Sequence, residues 1–209
     1  MPVCRLIKPQ LIRLRVSTLY KSVRPAWLDR LLEGLDGSDQ RARSVAGVLT
    51  TEQLNWCPRP GSWSIGQCLE HLYIANRVYL PAISDALAGQ PEEVASELRI
   101  GSPTRWFIRN YIAPNPTGAR ASAPKKIQPP TTVEERILQM LLESNLEVRE
   151  LAKRASHTDV NRIRFKNPFI PLVRFTVGAG LEIIVQHQRR HLLQAERVRG
   201  LKEFPGDLI

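Results

Sequence analysis

The sequence predicts an all-α protein, a four-helix bundle with long crossover connections. Four segments of helical length repeat apolar side chains every three or four positions, which places those side chains on one face of each helix. No segment shows a convincing strand pattern. The chain has 209 residues and 43% of them are apolar, which is enough for one buried core. We therefore expect a basic, flexible N-terminal arm over residues 1–24 and one bundle over residues 25–204.

Net charge and cysteine content restrict the classes of function. The chain carries a formal charge of +10, and no acidic residue precedes Asp29. The arm has no signal-peptide cleavage pattern, although its composition would also suit a transit peptide, a lipid-surface anchor or a nucleic-acid arm. The three cysteines have no paired spacing, so neither a disulfide framework nor a cysteine-rich zinc site is indicated. No apolar run reaches the roughly 20 residues of a membrane span. A soluble, cytoplasmic protein is expected.

The first two bundle helices are predicted from periodicity and from a capping signal. The first covers about residues 25–49, with a break expected near Gly37. The stretch at 50–62 contains two prolines and a glycine, which exclude a continuing helix and predict a loop. Ser64 is a good N-cap and Gln67 stands three residues later, the spacing of a capping box. The second helix should therefore run from Ser64 to about Ala88.

The remaining elements are a proline-rich crossover and two further helices. Six of the chain's 16 prolines fall within residues 101–132, so the segment at about 101–131 is predicted to be a long crossover with one short helix around Trp106. The third helix is expected at about residues 132–156. The last should begin near Thr176 and end at Arg199, with Gly200 in the usual C-terminal position.

Three of the four histidines are predicted to face the interior of the bundle. His187 and His191 are separated by about 40° of rotation and 6 Å of rise, so both imidazoles project from the inner face of the last helix. His71 flanks the inner face of the second helix, whereas His157 lies in a polar stretch. Two neutral imidazoles at this spacing can hold one divalent ion if another helix supplies a third ligand. Buried histidines satisfied by hydrogen bonds are the alternative.

Other chemistries are poorly supported by the residue pattern. There is no His-Glu-x-x-His motif, so the general base of zinc metalloproteases is absent. Cys57 and Cys68 have no evident adjacent base and are interpreted as inert packing. Trp56 and Trp63 are interpreted as packing that seals the end of the bundle.

Two polar residues beside the histidine pair are candidates for supporting roles. Gln194 lies on the same inner row as His191, where it could hydrogen-bond a ligand histidine or a metal-bound water, or be a plain buried amide. The arginines near the end of the chain are most simply a solvated face. Arg190 could extend toward the mouth of the bundle and hold an anionic substrate there.

Two stretches of the sequence resemble the DinB-like (DinB/YfiT-related) superfamily. "LTTEQLNWCPRPGSWSIGQCLEHL" resembles the first motif of that family, in which Trp-Ser and a later histidine open the second helix. "NPFIPLVRFTVGAGLEIIVQHQRRHLLQAERVR" resembles the second, with its His-x-x-x-His pair and following glutamine. The resemblance covers about residues 28–199. It implies a four-helix bundle with a three-histidine divalent metal site at His71, His187 and His191.

The resemblance also implies a range of activities and metals. Members have been associated with nickel, zinc, iron or manganese, and some resemble thiol-dependent transferases and isomerases. For this chain we expect zinc or nickel first, with iron or manganese as alternatives. The N-terminal arm and the proline-rich crossover depart from a compact family pattern, so the substrate does not follow from the resemblance.

The resulting hypothesis is a metal-dependent transferase or hydrolase, thiol-linked, that acts on a small molecule such as a low-molecular-weight thiol. An open coordination position is what a catalytic metal needs, and Glu70, Glu182 or Gln194 are the side chains that could close it as a fourth ligand. The alternative is a non-catalytic, stress-related metal-binding or structural module. A nucleic-acid or membrane accessory protein that uses the basic arm ranks third. A homodimer is compatible with these readings, nucleic acid is not expected as a partner, and no catalytic residue is assigned.

Overall fold

The computed structural model describes residues 24–114, 123–170 and 172–206. The predicted arm lies outside this part of the chain except for Arg24. In chain order, the helices are α1 (Ala26–Ala46), α2 (Thr51–Asn55), α3 (Ile65–Leu87), α4 (Ser102–Phe107), a π-helical turn (Ile108–Ile112), a 3-10 turn (Lys125–Ile127), α5 (Ile137–Ala155) and α6 (Val177–Arg199). Two short strands, β1 (Arg164–Lys166) and β2 (Arg174–Thr176), precede α6. The helices α1, α3, α5 and α6 form the predicted bundle.

The bundle helices agree with the sequence prediction except near some of their ends. The expected break at Gly37 is wrong, because α1 runs through it. Burial of Leu31, Leu35 and Ala42 against the core offsets the roughly 1 kcal/mol that a mid-helix glycine costs. Gly200 stands at the C-terminal end of α6 as predicted, with φ −82°.

The helix α5 begins at Ile137, five residues later than predicted, because a side chain holds the preceding backbone. Val133 is buried, and its N–H donates to Asn55 Oδ1 at 2.8 Å. Its carbonyl accepts from Asn55 Nδ2 at 3.1 Å. These bonds hold Val133 in the link between the crossover and α5. They satisfy its backbone N–H and carbonyl groups, so these groups do not need partners within a helix.

Two elements were missed by sequence reasoning. The helix α2 lies within the stretch predicted as a loop, where Thr50 and Gln53 form a capping box. The two prolines of this stretch, at positions 58 and 60, lie after α2, so they prevent only the continuation of the helix. The antiparallel pair β1–β2 places Phe165 opposite Phe175, both buried. Three-residue strands are too short to show a recognisable alternation.

The helices α3 and α5 are parallel neighbours. Asn76 contacts Ser144 near the middle of the pair, and eight residues further along α3 Ser84 accepts a hydrogen bond from Arg154. Parallel helices cannot be joined by a short turn, because the chain must first return along the length of the bundle. This explains the long connection between Leu87 and Ile137, which includes the proline-rich crossover.

The helices α1 and α6 form a second parallel pair. Gly34 lies against Val185, where an added Cβ would be 2.7 Å from the valine Cγ1, and Arg41 pairs with Glu196 further along both helices. Each of these helices also packs on one helix of the other pair, α1 on α5 and α6 on α3. The order around the bundle is therefore α1, α6, α3, α5, and the histidine-bearing helices α3 and α6 are antiparallel neighbours.

A polar layer crosses the bundle between two apolar clusters. One cluster contains the first half of α1 with the start of α6, and the other contains the start of α3 with the end of α6. Between them, Asn145 accepts hydrogen bonds from Asn76 at 2.8 Å and Gln188 at 2.7 Å, and donates to Asp39 at 2.6 Å. Each of the four long helices contributes one of these residues. This layer fixes the rotation of α6 directly beside the histidine pair.

None of the helices within residues 24–206 that the structure describes is long and apolar enough to cross a bilayer.

Candidate metal centre

The three predicted histidines converge between α3 and α6. The N-cap of α3 is fixed by a capping box in which Ser64 Oγ accepts from the Gln67 N–H at 3.0 Å and Gln67 Oε1 accepts from the Ser64 N–H at 3.1 Å. His71 follows two turns later and is 1% exposed. His187 and His191, one turn apart on the antiparallel α6, face it. His157 is exposed and does not join the group.

The distances within the group suit one small cation. The ring centroids of the three imidazoles are 4.5–4.8 Å apart, and the candidate ligand atoms all lie within 4.8 Å of one another. The Nε2 atoms of His71 and His187 are 3.0 Å apart. Two nitrogens on one tetrahedral zinc ion, each at roughly 2.0–2.1 Å, would lie about 3.3 Å apart. The arrangement therefore fits a divalent ion with little adjustment.

Hydrogen bonds fix which nitrogen of two rings carries the proton. His71 Nδ1 lies 2.6 Å from the carbonyl oxygen of Ile127, and His191 Nδ1 lies 3.1 Å from Gln194 Oε1. Both oxygens can only accept, so each Nδ1 carries the proton and donates it. Each Nε2 is then left with its lone pair directed into the group, which is the tautomer that a metal ligand requires.

The surroundings keep the imidazoles uncharged. Burial lowers the pKa of His71, and burial together with the nearby His71 and Arg190 lowers the pKa of His191 to about 3. The pKa of His187 is lowered well below its usual value by burial first and then by His191, His71 and Arg190. Only a neutral imidazole can donate its lone pair to a cation, so at neutral pH the group is ready to bind one without losing protons.

Trp63 packs against the core at this end of the bundle, as predicted, and it also forms one wall of the histidine group. Its ring lies 4.8 Å from that of His71 and 5.6 Å from that of His191. Trp56, by contrast, contacts Phe204 edge-on at 5.4 Å and is a packing residue. Sequence reasoning also missed the role of Ile127. No residue pattern could have revealed it, because the interacting atom is a backbone carbonyl.

No carboxylate or thiol among the described residues belongs to the histidine group. Glu70 and Glu182 therefore do not close it as fourth ligands, and Glu182 instead accepts a hydrogen bond from Gln186 at 2.8 Å. Cys68 is fully buried, and burial raises the pKa of its thiol. Cys57 is exposed, with its sulfur 3.8 Å from Gln67 Oε1. Neither cysteine is placed to act as a nucleophile at this site.

Arg190 is the charged residue that accompanies the group on α6. It is half-buried, and its Nη1 donates to the carbonyl oxygen of Ala113, at the end of the π-helical turn, at 3.4 Å. Ile127, whose carbonyl oxygen accepts the hydrogen bond from His71, belongs to the same crossover. The crossover thus contacts the site on two sides, through Ala113 and through Ile127.

The fold is similar to that of a solved bacterial protein. YfiT from Bacillus subtilis, which is described as a probable metal-dependent hydrolase with an unusual four-helix bundle topology, matches with a TM-score of 0.51 and 18% identity. The match covers 81% of this chain and 86% of YfiT. At this identity the likeness establishes the four-helix fold. No curated protein sequence is significantly similar to this chain.

The family follows from the sequence itself once the bundle and its histidines are placed. The model of the DinB superfamily matches residues 35–195, which include α3, α5 and most of α6. That range contains all three converging histidines and more than half of the chain. This protein therefore belongs to the DinB superfamily.

Proposed function

We propose that this protein is a divalent-metal-dependent enzyme of the transferase or hydrolase type that acts on a small molecule, with His71, His187 and His191 holding the ion. The observation that carries the proposal is the convergence of three neutral imidazoles, two of which have their Nδ1 protons engaged elsewhere. Zinc or nickel suits three nitrogen ligands best. The description of YfiT as a probable metal-dependent hydrolase supports the same general class.

Thiol transfer is the reaction type that we favour within this class. When bound, the ion would supply Lewis acidity, which favours the deprotonated form of a water or a thiol. Three neutral imidazoles leave the full +2 charge uncompensated, and a thiolate satisfies that charge. Hydrolysis would in addition need a group to accept a proton from water, and no carboxylate joins the histidine group within the described residues. The chain's own side chains therefore suit a substrate that ionises readily.

Residues around the ligands have positioning roles in this proposal. Gln194 and the carbonyl of Ile127 accept the Nδ1 protons of His191 and His71, and so hold both rings in the ligand tautomer. Trp63 packs against the same two rings and so restricts their movement on that side. The interactions come from α6, from the crossover and from the start of α3. Site geometry therefore depends on how the crossover docks.

Metal binding is tested by elemental analysis of protein isolated without a histidine tag. We expect about one divalent ion per chain in the natural protein. His187→Ala should weaken binding by orders of magnitude, because it removes one of three ligands. His157→Ala is the matched control, since this histidine is exposed and outside the group. Full metal occupancy in His187→Ala would show that the ligand assignment is wrong.

Catalysis needs a separate test. In the cobalt-substituted protein, a small thiol should change the visible spectrum, and the change should grow with pH as thiolate forms. Product formation from a thiol and an electrophilic acceptor should disappear in His191→Ala. Metal binding without any thiol response or turnover would instead support the non-catalytic metal-binding module.

A further inference from the structure

Arg190 occupies a special position on α6 relative to the three histidines. With His187 as reference, His191 lies about 40° away around the helix axis, and Arg190 lies about 60° away on the other side. Arg189 lies about 160° from His187, on the opposite side of the helix, where it lines a groove against α1. Arg190 is thus the arginine of α6 that flanks the histidine row, at the side facing the crossover.

The guanidinium of Arg190 has little local compensation for its charge. It is half-buried, and no acidic side chain pairs with it among the residues that the structure describes. Its hydrogen bond in this part of the chain is the 3.4 Å contact with the Ala113 carbonyl, which uses one of five N–H donors. Arg190 is adjacent to His191 and one helical turn from His187 on α6, which keeps its charge near both rings. A partly desolvated cation with free donors is suited to an anion.

The net charge of the whole site also favours an anionic ligand at Arg190. The three imidazoles are neutral and no carboxylate joins them within the described chain, so a bound divalent ion and Arg190 together give +3. One anionic ligand on the ion would leave Arg190 still unpaired. A second negative group on the same substrate would pair with it, and a planar guanidinium binds carboxylate or phosphate oxygens in a bidentate manner.

We propose that Arg190 is the anion-recognition residue of this site, and that the substrate carries a carboxylate or phosphate group in addition to the group that meets the ion. The inference rests on the proposed function for the substrate group that meets the ion. The contact between Arg190 and the carboxylate or phosphate does not itself require the metal. The residue is a binding residue for the substrate's oxyanion.

Two thiols that differ in charge test the proposal in the cobalt-substituted protein. Mercaptoacetate carries a thiol and a carboxylate, whereas 2-mercaptoethanol carries a thiol and a neutral hydroxyl. We expect the natural protein to bind mercaptoacetate roughly tenfold more tightly, as judged by spectral titration. Arg190→Gln should reduce this preference to within about twofold, mainly by weakening the binding of mercaptoacetate. Arg189→Gln is the matched control and should retain the preference.

A metal-free measurement separates failure of this inference from failure of the proposed function. Inorganic phosphate should shift one arginine Nε–H resonance of the metal-free protein, and that resonance should be missing in Arg190→Gln. Lack of metal or of any thiol response, with the phosphate shift retained, would overturn the proposed function and leave the anion site in place. Equal affinity for both thiols in the natural protein, an unchanged preference in Arg190→Gln or the lack of a phosphate shift would overturn the Arg190 assignment. Comparison of phosphate with acetate in the same titration distinguishes the two oxyanions.

Discussion

Replacement of Asn145 by alanine should destabilise the bundle strongly, because the side chain is the centre of the polar layer. Asn145 is fully buried and bonds to Asn76, Gln188 and Asp39. After its removal, Asn76 retains Ser144 as a partner and Asp39 retains an ion pair. The loss of hydrogen bonds is therefore greatest for Gln188.

Gln188 determines the size of the effect. It is 1% exposed, and its amide nitrogen and oxygen both bond to Asn145 in the described structure. Each buried polar group that loses its partner costs about 1–3 kcal/mol, so we expect Asn145→Ala to lower the free energy of unfolding by about 2–6 kcal/mol. Because Gln188 lies between His187 and His191, the variant should also weaken metal binding.

Urea unfolding followed by circular dichroism measures this loss. Leu146→Ala is the matched control, because this neighbouring residue of α5 is 59% exposed, and its effect should stay within about 0.5 kcal/mol. In Asn145→Leu/Gln188→Leu both partners become apolar, so at least half of the stability lost in Asn145→Leu should return. A loss below about 1 kcal/mol in Asn145→Ala, or additive losses in the double variant, would refute the reasoning.

Three further predictions concern pH, the support of the ligands and helix packing. Burial lowers the pKa of His191 from 6.5 to about 3, so this residue should contribute about 1 kcal/mol per pH unit to the stability that the metal-free protein loses below pH 6.5, because only the unfolded chain takes up this proton readily. The pKa values of His71 and His187 are also lowered, so these two residues add to the same loss. Urea unfolding from pH 7 to pH 4 measures the loss, and the same slope in His191→Asn would contradict the prediction. Gln194→Leu should reduce metal affinity roughly tenfold in competition with a chelator while the fold is retained; unchanged affinity would show that the Gln194 hydrogen bond does not support the ligand. Gly66→Ala should cost about 1–3 kcal/mol, because its Cβ would lie 2.9 Å from the Leu54 carbonyl oxygen, whereas Gly37→Ala has open space and should stabilise the protein by about 0.5–1 kcal/mol. Thermal unfolding compares the two glycine variants, and shifts of the same sign would be inconsistent with the packing described above.

Local sequence information determined the helices of the bundle and the inward direction of the histidines. The repeat of apolar residues every three or four positions specifies which face of a helix is buried, whatever that helix packs against. Ser64 with Gln67 marked the start of α3, and the spacing of His187 and His191 placed both on one face of α6. The motifs around these residues also indicated the superfamily, which the family match confirms.

Tertiary structure decided which elements are neighbours and therefore what the histidines contact. Periodicity gives a buried face but not its partner, so the parallel pairing of α3 with α5 and of α1 with α6 did not follow from the sequence pattern. The later start of α5 depends on Asn55, which is 78 residues away from Val133. Likewise, the proton of His71 is held by the carbonyl of Ile127, 56 residues away. Such contacts join atoms that local sequence cannot relate, because their proximity exists only after the crossover has docked on the bundle.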